Sequence, residues 1–131
     1  MRVRRRDDTG AAVAEFALVS VLLVFLFLGV VQLGTALFVR NTLVACAAEG
    51  ARYGANADRD EVDAVTRASA LIASSLPDSY AAPGNVTAGY ESVGGSPTLY
   101  VEVRADLPLL GWLDADGLLI VRAHALEEGG G

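Results

Sequence analysis

The chain has 131 residues, with ten cations against sixteen acids for a net charge of −6, and 53% of its side chains are hydrophobic. So acidic a chain offers no basic surface to nucleic acid. A single cysteine and a single histidine exclude an intrachain disulfide, a zinc site of ordinary ligand count and most nucleophilic triads.

Arg2, Arg4, Arg5 and Arg6 open the sequence, and Asp7, Asp8 and Gly10 follow. From Phe16 to Val39 no side chain ionises. These 24 residues, wound as a helix, reach about 36 Å, enough to cross a hydrocarbon core of ~30 Å with some tilt. The segment reads as a membrane-spanning helix in contact with lipid. Four arginines precede it and Arg40 alone follows closely. The positive-inside bias therefore puts Met1 in the cytoplasm and the rest of the chain beyond Val39 outside.

Glu15 interrupts the apolar run near its start. A carboxylate costs ~2.5–3.5 kcal/mol at the bilayer centre and less near the interface. If the chain is cut after Gly10, Ala11 gains a free α-amine one helical turn from Glu15. The i, i+4 spacing then lets ammonium and carboxylate neutralise one another, within one subunit or between neighbours. Left uncut, Glu15 simply lies within reach of the headgroups.

The run Arg4-Arg5-Arg6-Asp7-Asp8-Thr9-Gly10, then Ala11 to Ala14, then Glu15-Phe16, resembles the class III signal of type IV prepilins. That resemblance implies cleavage between Gly10 and Ala11 by a prepilin peptidase. It also implies that Glu15, with Phe16 beside it, guides packing of the helix into a filament. Loss of residues 1–10 would leave six Arg against fourteen acids, a net charge of −8.

The helix pattern continues through Asn41 to Ala57, which lack proline and are rich in alanine. Cys46, Gly50 and Gly54 recur every four residues, as do Ala47, Ala51 and Ala55. Such stripes let another helix approach closely, either from the chain's own domain or from a neighbouring subunit. Each glycine costs roughly 1 kcal/mol relative to alanine, so fraying or a bend is expected there. Glu49 and Arg52 form an expected i, i+3 pair. Leu43-Val44-Ala45-Cys46 matches a lipobox, and Ala45-Cys46-Ala47 a signal-peptidase site. The apolar run is far longer than a signal-peptide core of ~7–15 residues, so retention of the helix is favoured. The segment from Ala47 to Ala55, on a helix of this kind, looks like TadE-like proteins, the minor pilins or pseudopilins of tight-adherence (Tad) pili. This resemblance covers residues 7–57, and it implies other pilins and Tad assembly proteins as partners.

Asp58 to Leu76 reads as a second helix, with Asp58 as N-cap and Glu61 as its capping-box partner. Val62, Val65, Ser69, Ile72 and Leu76 form the expected apolar stripe, and Pro77 ends the helix. Asp58, Asp60, Glu61 and Asp63 lack the glycine-centred loop of a calcium site and suit a helix N-terminus. Beyond Pro83 the period changes to two. Asn85–Ser92 is the first expected strand, Gly94-Gly95-Ser96-Pro97 a turn, and Thr98–Asp106 a strand with Leu99, Val101, Val103 and Ala105 on its apolar face. Leu109, Leu110, Trp112 and Leu113 are expected to fold back on the core. Leu118–Leu126 supplies a third strand with Arg122 and His124 on one exposed face, and a loose tail follows from Glu127. No glycine-rich phosphate loop follows a strand, and no cofactor, metal or catalytic constellation emerges.

The expected fold is α+β: a long amino-terminal helix that crosses the membrane and continues outside it, then a short helix packed on an antiparallel sheet of about three strands. The expected divisions are a leader at 1–10, the long helix at 11–57 and a small extracytoplasmic domain at 58–131. Two functional readings follow: a processed pilus assembly subunit, or an unprocessed single-pass protein whose outer domain binds an envelope partner.

Overall fold

The computed structural model describes residues 7–107 and 117–126. The elements run α1 (Asp7–Gly54), α2 (Glu61–Ser75), a short 3-10 turn (Asp78–Ala81), β1 (Val86–Val93), β2 (Ser96–Asp106) and β3 (Leu118–Leu126). The expected α+β class is what forms. The chain divides into two compact units, Met1–Gly34 and Thr35–Gly131. The arginine leader, the apolar residues Leu109, Leu110, Trp112 and Leu113, and the tail from Glu127 lie outside the described residues.

In the first unit only α1 is described, and its apolar side chains point outward: Phe16, Leu22, Phe25 and Phe27 are all exposed. No charge or proline interrupts Phe16–Val39. The Ser20 hydroxyl donates to the Phe16 carbonyl at 2.8 Å, so its polar group is satisfied within the helix. α1 is long and apolar enough to cross a membrane.

In the second unit, the sheet order is β1-β2-β3, with both pairs antiparallel. Alternation places Leu99, Val101, Val103 and Ala105 on the inner face, all buried, together with Val121 and Ala123 from β3. Val39, Leu43, Cys46, Ala47 and Ala51 from α1, and Ala64, Ala68 and Ile72 from α2, complete the same core.

Helix α2 starts two residues later than expected. Asp60, not Asp58, is its N-cap: one Asp60 carboxylate oxygen accepts from Val62 N–H at 2.8 Å and Asp63 N–H at 3.1 Å. The Asp63 side chain in turn accepts from Asp60 N–H, so Asp63 rather than Glu61 closes the capping box. Replacing Asp60 with alanine is expected to cost about 1 kcal/mol, read as a lower denaturant midpoint for the purified chain in micelles.

The buried stripe of α2 keeps Ile72 and Leu76 as expected, with Val65 half-buried against the core, but Ala64 and Ala68 are its most buried members nearer the start, while Val62 is 70% exposed. Hydrophobic size pointed to Val62, but α2 lies so close to α1 that the small Ala64 and Ala68 occupy the contact. The hairpin is likewise tighter than the four-residue turn expected. Gly94 and Gly95 alone form it, with φ of 61° and 86°, the pair of positive values that a two-residue hairpin with right-handed strand twist requires. Ser96 and Pro97 already belong to β2, where Pro97 lies beyond the last residue paired with β3.

Candidate functional site: the amino-terminal helix and the outer sheet face

Gly10, Ala11, Glu15 and Phe16 all lie within α1 and are exposed. The helix passes through the Gly10–Ala11 bond without a break. A Cβ built on Gly10 would meet nothing within 4 Å, so neither packing nor a special backbone conformation explains a glycine here. Ala11 and Glu15 are one helical turn apart along one side of α1, as the i, i+4 argument supposes. Among the described residues, no ion pair engages Glu15. The long exposed apolar surface around it calls for lipid or other helices, since water would not tolerate a patch of this extent.

Cys46, Gly50 and Gly54 sit in the second unit and are buried. A Cβ at Gly50 would fall 2.7 Å from Ala68 Cβ and 2.8 Å from the Ala64 carbonyl oxygen. At Gly54 it would fall 2.5 Å from Ala64 Cβ and 2.7 Å from a Leu99 methyl. The glycines thus let α1 approach α2 and β2 of the same chain. Burial pushes the Cys46 thiol up from its ordinary pKa, so it is a poor nucleophile. The expected Glu49–Arg52 pair forms at 3.0 Å, and Arg67 of α2 reaches the same carboxylate at 3.9 Å. Arg59 stacks 3.5 Å above the Tyr53 ring beside them.

The outer sheet face holds a network that residue spacing alone did not reveal. Glu102 on β2 is only 7% exposed, yet its carboxylate accepts from both neighbours. Arg104 Nε donates to one oxygen at 2.9 Å, and Arg122 donates to the other at 3.1 Å and 2.6 Å. These bonds favour the charged form and hold Glu102 below the usual carboxylate range, with Arg122 the larger contributor. Arg122 also lies 4.4 Å over the Tyr100 ring and 3.4 Å from Glu91 of β1. His124 Nε2 meets the other Glu91 oxygen at 2.6 Å. Glu91 therefore reaches across β2 and braces both edge strands over buried Thr98. Tyr100 covers Gly89, where a Cβ would come within 2.7 Å of its hydroxyl. Cross-strand register brings these groups together: Arg122 sits opposite Glu102 and His124 opposite Tyr100.

The depressed Glu102 pKa gives a pH prediction. Its contribution is present above the unfolded-state pKa and is lost as pH falls through the lower folded-state value. Stability of the chain in micelles should therefore drop with acid from about pH 4.3 downward. Glu102→Gln should flatten that acid limb, as followed by denaturant midpoints across pH.

A helix long and apolar enough to cross a membrane, followed by a small α+β domain, is the arrangement of a membrane-associated protein. Residues 10–52 match the family model described as TadE-like protein. The likeness drawn from the Gly10–Phe16 motif and the alanine-rich helix is thus shown over that stretch, and it makes the amino-terminal part of the chain similar to TadE-like proteins. No curated protein and no solved structure matches the chain.

Proposed function

We propose that this protein is a structural or assembly subunit of a Tad-type pilus, made with its amino terminus in the cytoplasm and its second unit outside. A prepilin peptidase cleaves between Gly10 and Ala11. The released Ala11 amine and Glu15 compensate one another and set the register of the helix against its neighbours. The apolar surface from Phe16 onward provides cohesion, first with lipid and then with other pilins. The observation that supports this reading best is the coincidence of a carboxylate at Glu15 with a family match that begins at Gly10.

Expression with and without a prepilin peptidase tests the processing step. The peptidase should yield a faster-migrating membrane form that lacks the ten leader residues, and Gly10→Leu should block its appearance. Identical mobility in both strains would favour an unprocessed single-pass protein with an envelope partner.

A further inference from the structure

Arg40 is the first charged residue after the apolar run, one position beyond Val39. Burial along α1 changes at the same place. Leu37 and Phe38 are 49% and 61% exposed, whereas Val39 and Leu43 are buried in the core of the second unit. The Thr42 hydroxyl nearby donates to the Phe38 carbonyl at 2.9 Å and is satisfied within the helix. The arginines of this unit are satisfied too, with one exception. Arg52 and Arg67 meet Glu49, Arg104 and Arg122 meet Glu102, and Arg59 covers the Tyr53 ring. Arg40 is exposed, and among the described residues no ion pair or hydrogen bond engages its guanidinium.

Helical side chains lean toward the amino-terminal end of their helix. That direction carries the Arg40 stem back over Ala36 and Leu37, toward the apolar run. A long stem on apolar surface with its charged head at the membrane interface is how an arginine snorkels. Its planar fork matches two phosphate oxygens at once. Along α1 the next acid is Glu49, about 14 Å further up the axis. A second copy alongside at the same depth therefore brings no α1 carboxylate to the level of Arg40, whereas headgroup phosphates lie there.

We propose that Arg40 binds the phosphate of a lipid headgroup, with a preference for anionic lipid, and so fixes the depth at which α1 leaves the membrane. The guanidinium N–H groups donate to the phosphate oxygens while Leu37 and Phe38 stay among the acyl chains. The inference rests on α1 crossing a membrane, and it does not depend on cleavage at Gly10.

The probe is phosphatidylglycerol, which replaces part of the lipid around the full chain in phosphatidylcholine bicelles. The Arg40 Nε–H signal is followed by NMR and assigned by its loss in Arg40→Gln. A saturable shift is expected at Arg40, with a preference for phosphatidylglycerol of about fivefold, the factor one cation gains near an anionic surface. Arg52, already paired with Glu49, should not shift. A relaxation agent carried on the lipid chains reads insertion in the same samples by broadening the Leu37 and Phe38 amides. Broadened amides with an unmoved Arg40 signal would overturn the phosphate contact alone, and sharp amides would overturn the membrane-spanning reading with it. An equal shift from inorganic phosphate would mean a free-anion site, and one from raised protein concentration alone a carboxylate of a second copy. Either would overturn the lipid assignment.

Discussion

Gly54→Val is expected to cost about 3 kcal/mol or more and to remove the sharp unfolding transition of the Thr35–Gly131 unit. The reason is local geometry. The first added carbon would already sit 2.5 Å from Ala64 Cβ and 2.9 Å from the Asp60 carbonyl oxygen. Both obstacles belong to the start of α2, and the Asp60–Asp63 capping box holds that turn in place. The remaining atoms of valine would also drive into Leu99 at the centre of the sheet. Closely packed interiors relax only partly around such insertions. Domain stabilities of ~5–15 kcal/mol leave little margin for the loss. Thermal unfolding of the purified chain in micelles, followed by circular dichroism, reads the effect. Ala45→Val, at an exposed position of the same helix, should change stability by less than about 0.5 kcal/mol.

The second large effect concerns Glu15. Glu15→Leu should abolish incorporation into the pilus, yet leave the protein in the membrane at normal abundance. The leucine removes a carboxylate that costs free energy in lipid, so insertion improves if anything. What it also removes is the proposed partner of the Ala11 amine. An ammonium carried into an apolar helix bundle with no counter-charge is strongly disfavoured, so the variant should accumulate in the membrane fraction instead of in sheared filaments. Glu15→Asp keeps the charge on a shorter side chain and should retain partial assembly. Full incorporation of Glu15→Leu would show that the amine needs no carboxylate and would remove the register argument.

Much of the fold could be read from period and punctuation. The charge-free run to Val39, the inner face of β2 and the placement of Arg122 with His124 on β3 each follow from one dominant pattern. The details that escaped depend on neighbours distant in sequence. Val62 looks like a core residue by size, but Gly50 and Gly54 draw α2 close and Ala64 and Ala68 fill the contact instead. Asp58 and Asp60 are equally good caps in sequence, and only the path of the chain from α1 decides between them. The Glu91–Arg122–Glu102 network needs the register of three strands, which no single strand encodes. Gly10, Ala11 and Glu15 stand apart, because packing within the chain does not account for them: a Cβ at Gly10 would meet nothing within 4 Å. The proposed processing and membrane insertion would account for their pattern.

The decisive measurement is the amino-terminal residue of the protein isolated from membranes of a strain with an active prepilin peptidase, read by intact mass and amino-terminal sequencing. The account predicts a chain that begins at Ala11 and keeps Glu15 as its fifth residue. A chain that still begins with Met1 or Arg2 and carries the arginine cluster would contradict it.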